Sequence, residues 1–453
     1  MHDYLLLCRD ILGINREIFF CKINYLCPSN LKSMERRNVE IMAPVGSYES
    51  LMAAIQGGAG SVYFGIEHLN MRSRSSNNFS LDDLRKIVEI SSKNKVKTYL
   101  TLNVEIFDGE IQLMHQVLQA AKDAGVSAVI AADVSVIQHA RSIGLEVHIS
   151  TQVNITNIEA VKFYSMFADV LVLAREMNLG RVTEISKQIE RDNVKGPSGE
   201  LVQLEMFVHG ALCMATSGKC YLSLHEMNSS ANRGACLQTC RRAYTVTDKE
   251  TGAELELDNE YIMSPKDLKT IHFLNKILDA GVSVLKIEGR ARSAEYVKTT
   301  VQCYREAVDA YFDDEFTDEK VEDWNNRLAQ VFNRGFWDGY YLGQRLGEWS
   351  KNYGSLATKR KLYIGKCTNY FSKIGVAEFK LETNNLKVGD EIIISGTTTG
   401  VVQTFVTEIR VNLESVEEAK KGEQISIKTD TIIRRSDKLY KLVDAKEVKQ
   451  RGV

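Results

Sequence analysis

"KTYLTLNVEIFDGEIQLMHQVLQAAKDAGVSAVIAAD" occupies Lys97–Asp133 and sets the pattern of the chain. "KTYLTLN" (97–103) is a short β-branched and aromatic run, the composition of a buried strand. "IQLMHQVLQAAKDAG" (111–125) repeats its apolar residues at helical spacing and ends on glycine, the residue that most readily closes a helix. "AVIAAD" (128–133) is apolar again. A strand, a covering helix and a second strand of this kind form the crossover that joins parallel neighbours.

Outward from this unit the same rhythm spans Val39 to Phe312. Upstream lie "VEIMAP" (39–44) and "SVYFG" (61–65). Downstream lie "EVHIST" (146–151), "DVLVLA" (169–174), "LEMFVHG" (204–210) and "SVLKIEG" (283–289). Helical patterns such as "ESLMAAIQGG", "LDDLRKIVEISSKNK" and "RVTEISKQIERD" separate them. Eight strand–helix units in about 275 residues predict an α/β fold, a (β/α)8 TIM-like barrel. A doubly wound open sheet is the alternative. It calls for a glycine-rich phosphate turn after the first strand, and "APVGSYES" is not G-x-G-x-x-G. "GGAG" (57–60) ends a helix and reads as a cap.

The expected organisation is an N-terminal extension over residues 1–33, a barrel over 34–312, a helical and aromatic linker over 313–360, and a small β-barrel accessory domain over 361–453. Met34 opens "MERRNVEIMAPVG" and reads as a normal start, so residues 1–33 are taken as a mispredicted start or a short docking segment. The linker carries a helix from Asp318 to about Phe332 with Thr317 as its N-cap. Beyond it, "IGVAEFKL", "VGDEIIISG" and "GEQISIK" are short strands between turns.

The net charge of −2 gives no global attraction to nucleic acid. No apolar run approaches the roughly 20 residues of a membrane span, and no signal peptide is evident. A cytoplasmic, reducing compartment is expected, where structural disulfides are rare.

Four of the nine cysteines fall within one stretch, as C-x6-C-x15-C-x3-C: Cys213, Cys220, Cys236 and Cys240. In a reducing compartment such a set reads as a metal site. Thiolates select zinc or iron–sulfur clusters. Zinc knuckles space their cysteines by about two to four residues, and only Cys236–Cys240 comes close. Looser loops suit a cluster. Four small buried hydrophobes are the bland alternative. Cys213 follows the seventh strand at the C-terminal end of the barrel, where these barrels place their chemistry. His209 and His225 flank the stretch and read as supporting or core residues. Cys8, Cys21 and Cys27 match no ligand pattern, and Cys303 and Cys367 read as packing residues.

Strand ends offer Asn103, Asp133, His148, Thr151, Gln152, Arg175, Glu176, Glu288 and Arg290 to the barrel mouth. Glu288, Arg290, His148 and Arg175 are the candidate catalytic groups. Arg72, Arg74, Arg292, Asn103 and Gln152 are candidate substrate-binding groups. Arg290 and Arg292 follow the eighth strand, the usual phosphate or carboxylate position. An ion pair of Glu288 with Arg290 closing the barrel is the structural alternative. "KRK" (359–361) could hold a nucleic-acid backbone.

"EMFVHGALCMATSGKCYLS" (205–223), "MAPVGSYESLMAAIQGGAGSVYFG", "NRGACLQTCR" and "VLKIEGRARSAEYV" resemble the signatures of the collagenase-like peptidase family, peptidase family U-32. The likeness covers nearly everything after Met34. It implies two activities. The family carries a protease name. Several relatives are oxygen-independent hydroxylation proteins that hold a 4Fe-4S cluster on four cysteines. They act on tRNA uridine, on ribosomal RNA cytidine or on a ubiquinone precursor, with prephenate linked to the reaction. The four cysteine positions and the C-terminal domain match the RNA-acting branch. The resemblance therefore implies a tRNA partner, with rRNA as the alternative, and 5-hydroxyuridine as product. A partner subunit stays open. The chain has no H-E-x-x-H, G-x-S-x-G or D-[ST]-G, and a Cys213–His209 thiol dyad would leave three cysteines unexplained. A zinc-stabilised RNA-binding scaffold is the third reading.

Overall fold

The structure is a computed structural model that describes residues 35–67, 69–73, 78–242, 244, 249–251, 263–344, 346–350 and 354–450. Residues 1–33, with Cys8, Cys21 and Cys27, lie outside the described residues, as does Arg74.

Eight parallel strands form the barrel: β1 (Glu40–Pro44), β2 (Ser61–Phe64), β3 (Lys97–Leu102), β4 (Ala128–Ala131), β5 (Glu146–Ile149), β6 (Val170–Val172), β7 (Gln203–Gly210) and β8 (Val282–Ile287). Each pairs with the next, for example Met42 with Ser61 and Tyr99 with Ala128. The ring closes through Leu204 opposite Val282 and Glu40 opposite Val284. All eight predicted strands are present, with ends within two residues of expectation.

Alternation along each strand divides the packing. Ile41, Ala43, Val62, Phe64, Leu100, Leu102 and Val129 face the helices and join the large outer core. Met42, Tyr63, Tyr99, Ile130, Val170 and Val284 form a small apolar cluster of their own. Buried His148, Glu205 and Lys286 come from β5, β7 and β8. Helix ends follow local chemistry. Asn157 and Asn178 accept from Ala160 and Arg181 backbone N–H groups, and Gly125 closes Ile111–Ala124 at φ 81°. The linker helix is Asp318–Gln330, and the Thr317 side chain caps it.

Between β7 and β8 the chain makes a long excursion. It returns as a short strand, Asp267–Lys269, antiparallel to the end of β7. After the linker, an eight-stranded antiparallel sheet coils about its own core of Ile364, Phe379, Ile392, Ile394, Ile425 and Ile427. It rests on the first and last barrel helices, Tyr48–Gln56 and Ala294–Phe312. Gln56 donates to Thr399 O and accepts from Val401 N, both at 2.9 Å. Cys303 and Cys367 are buried packing residues, as expected. Among the described residues no helix is long and apolar enough to cross a membrane.

Candidate functional site

β7 ends at Gly210, which stands at φ 104°. A Cβ here would collide with Glu288 O, so glycine lets the outgoing chain cross close over the end of β8. The next residues carry Cys213, then Cys220 just before a short helix, Leu222–Met227. Turns at Ala231–Arg233 and Thr239–Arg241 bring in Cys236 and Cys240. The two halves are tied together by side chains. Leu237 N donates to Ser223 Oγ at 3.0 Å, and Asn232 Nδ2 donates to Gly218 O at 2.8 Å. Arg241 braces the segment, donating to Leu212 O at 2.6 Å and to Ser264 Oγ at 3.0 Å.

The four cysteines are free thiols and line one cavity of about 190 Å³ at the barrel mouth. Burial pushes the Cys240 thiol up to about 11, against the nearby Arg241 charge, and the other three thiols push it the same way. Burial raises Cys220 too, with the Leu222 N–H opposing and Cys213 and Cys236 adding. The four are thus close enough to bias one another. Among the described residues, no three His, Cys, Asp or Glu side chains converge on a position for a single ion.

The same cavity is lined by Arg72, Asn103, Thr151, Gln152, Arg175, Glu288 and Arg290. Arg72 Nη2 lies 3.1 Å from Glu288 Oε1. Arg290 instead donates to Thr101 Oγ1 and Asn70 Oδ1, both at 3.0 Å. The expected Glu288–Arg290 ion pair is therefore replaced by Arg72–Glu288, because Arg290 turns toward β3 and the loop after β2. Burial alone would raise the Glu288 carboxyl. Arg72, Arg175 and Arg290 outweigh it and hold the group below its ordinary range. Burial brings Arg290 down to about 10. Arg175 stacks on Phe207, 3.9 Å from the ring centroid. Asn103 Nδ2 reaches Gln152 Oε1 at 3.3 Å.

Several expected groups lie elsewhere. His148 is inside the barrel, against Tyr99 and 3.4 Å from Glu146 Oε1 at the strand's opening residue, so it does not line the mouth. Arg292 turns outward and packs 3.5 Å from the Phe332 ring centroid. Asp133 caps the helix Val134–Ser142, and Glu176 is exposed. His209 is a core residue, with Nδ1 3.5 Å from Tyr304 Oη, whereas His225 is exposed on its short helix. In "KRK", Lys359 pairs with Glu391 and Lys361 with Glu295, so both serve the C-terminal sheet and its joint with the barrel.

Three side chains at the site were not foreseen: Arg241, Glu205 and Lys286. Lys286 Nζ lies 2.6 Å from Glu205 Oε1, and both residues are buried. The signal was available. "LEMFV" (204–208) and "VSVLKI" (282–287) each hold one charge inside an otherwise apolar buried strand, which requires a partner.

A family model described as Peptidase family U32 matches residues 46–351. The chain is 61% identical over 408 residues to a protein named collagenase from Porphyromonas gingivalis W83, covering 90% of this chain and 99% of that one. It is 32% identical over 375 residues to tRNA hydroxylation protein P1 of Bacillus subtilis 168, covering 81% and 86%. It is 30% identical over 323 residues to the 23S rRNA 5-hydroxycytidine C2501 synthase of Escherichia coli K12, covering 70% of this chain and 47% of that one.

Proposed function

The chain belongs to peptidase family U32, and from that membership we propose that it is an iron–sulfur enzyme that hydroxylates RNA, with a tRNA uridine as its target. The observation that carries the reading is the gathering of four free thiols on one cavity whose lining is rich in arginine.

The donor set fits a 4Fe-4S cluster better than a lone zinc ion. A tetrahedral zinc with bonds of about 2.3 Å draws its four sulfurs to within about 3.8 Å of one another. A cluster spreads them, one thiolate to each iron, which suits cysteines set on loops as widely spaced as C-x6-C and C-x15-C. Cys213, Cys220, Cys236 and Cys240 would hold the cluster, which supplies one-electron redox chemistry when bound. Arg241 fixes Cys240 relative to the Cys213 strand end. Arg72 and Glu288 fix each other on the wall, and Arg175 presents a guanidinium to an anionic co-substrate, for which a prephenate-like dicarboxylate has suitable chemistry. A single-stranded uridine enters such a pocket without the full cost of unstacking. A tRNA target would put the enzyme in the cytoplasm.

A second reading, peptidase, is favoured by the 61% identity to a protein named collagenase. Its natural dyad, Cys213 with His209, has little geometric support. His209 is buried among Tyr296, Tyr304 and Phe336 and is not part of the cavity wall. Nucleoside mass spectrometry of tRNA and rRNA from a deletion strain tests the proposal. Loss of 5-hydroxyuridine-derived nucleosides, restored by the wild-type gene and not by Cys236→Ser, is the expected result. Unchanged nucleosides, together with collagen cleavage by the purified protein after iron removal, would turn the assignment to the peptidase.

A further inference from the structure

Lys286 is a cation placed where a barrel normally packs an aliphatic side chain. It is 5% exposed and lines the cysteine cavity. Its Nζ lies 2.6 Å from Glu205 Oε1 and faces the rings of Tyr63 and Phe207, at 5.0 and 5.4 Å from their centroids. Glu205 itself is fully buried. Its second oxygen, Oε2, has no hydrogen-bond partner among the described residues, and neither has His148 Nδ1, 3.9 Å away. A buried carboxylate with an open acceptor position beside a lysine is an unusual expense for a purely structural pair. It is a suitable arrangement for moving a proton off an amine.

The guanidiniums around this lysine differ in their commitments. Arg72 is paired with Glu288, Arg290 with Thr101 and Asn70, and Arg241 with backbone and Ser264. Arg175 makes a long bond of 3.4 Å to Ala211 O, and its buried Nε has no partner among the described residues. Arg175 and Lys286 share both the Phe207 ring and the cavity. A small 2-oxo acid would offer its carboxylate to Arg175 and its carbonyl to Lys286.

We propose that Lys286 is a nucleophilic amine that condenses with a small 2-oxo acid bound through Arg175, with Glu205 as its proton acceptor and donor. The ammonium passes a proton to Glu205, and the neutral amine adds to the carbonyl carbon. Glu205 returns the proton to the hydroxyl of the adduct, which leaves as water. The product is a protonated imine, and the balance is one ammonium and one carbonyl to one iminium and one water, without an oxidant or reductant. An imine-forming lysine needs its amine neutral, and here Glu205, at 2.6 Å, is the base that takes the proton. The step is independent of whether the macromolecular substrate is RNA.

The full-length protein, purified without oxygen, is incubated separately with pyruvate, glyoxylate and phenylpyruvate in the presence of cyanoborohydride. Adducts are then mapped by peptide mass spectrometry. At least one acid is expected to label Lys286, blocking tryptic cleavage there, at about tenfold the occupancy of exposed Lys97. Acetone, a carbonyl without a carboxylate, labels Lys286 about tenfold less, as does the best acid on Arg175→Gln. Lys286→Arg keeps a cation opposite Glu205 and loses the adduct. Glu205→Gln slows its formation. The proposal is overturned if none of the three acids labels Lys286 above the surface lysines, or if labelling is indifferent to both Arg175→Gln and Glu205→Gln.

Discussion

Arg72 and Glu288 meet at 3.1 Å across the barrel mouth, joining the loop after β2 to the residue that follows β8. Arg72 also feels Cys236, so one guanidinium touches both the carboxylate wall and the thiol wall electrostatically. Replacing Arg72 with Met leaves the largely buried Glu288 without its closest counter-charge. The expected loss is about 1–3 kcal/mol in urea unfolding at neutral pH. Glu288 has a depressed pKa in the folded state, so its contribution is present above the unfolded carboxylate value and fades as pH falls through the folded one. The gap between wild type and Arg72→Met should therefore narrow below pH of about 4. A gap that widens on acidification would show that the pair is not the source of the difference.

Iron and acid-labile sulfide assays on protein purified without oxygen report on the thiols. Serine at any one of Cys213, Cys220, Cys236 or Cys240 should bleach visible absorption and lower iron content, while Cys303→Ser leaves the colour unchanged. Colourless wild-type protein with one zinc per chain would instead support the zinc scaffold.

Gly65 follows β2 where a Cβ would run into Arg290 Nη1 and the Asn70 and Asn78 side chains. Gly65→Ala pushes the guanidinium off Thr101 and Asn70 and is expected to cost about 1–3 kcal/mol. Gly109, with nothing within 4 Å of its would-be Cβ, is the control, and its alanine variant should stay within about 0.5 kcal/mol of wild type. Equal melting temperatures for the two variants would contradict the close fit described at Gly65.

His209 is pushed down to about 3 by burial, with Lys269 adding to the effect. The unfolded chain takes up a proton near the ordinary histidine value of about 6.5, and the folded chain does not. This residue's contribution is therefore complete above that value and is withdrawn as pH falls from there toward 3, by at most about 1.4 kcal/mol per pH unit. His209→Gln should flatten the stability profile over that interval, as read by chemical denaturation from pH 7 to pH 4. An unaltered slope would mean that another group dominates it.

The barrel was legible because each strand is a short β-branched run between a capped helix and a turn, as at Lys97–Leu102 and Ala128–Ala131. The four cysteines were legible as a group through spacing alone. Side-chain direction was not. Position at a strand end recommended His148 and Arg292, yet alternation turns His148 into the interior, and Phe332, far along the chain, captures Arg292. The choice of Arg72 over Arg290 as partner of Glu288 depends on how the loop after β2 folds across the mouth, which no local pattern encodes. Lys286 and Glu205 were visible as misplaced charges, but only the pairing of β7 with β8 shows that they answer each other.

The excursion that carries the thiols leaves from the end of β7 and comes back as a strand laid antiparallel against that same end. Both its anchors sit on one edge of the scaffold, so its length and composition can drift without disturbing ring closure. A deletion within the cap is therefore expected to abolish the thiol site while the ring still closes.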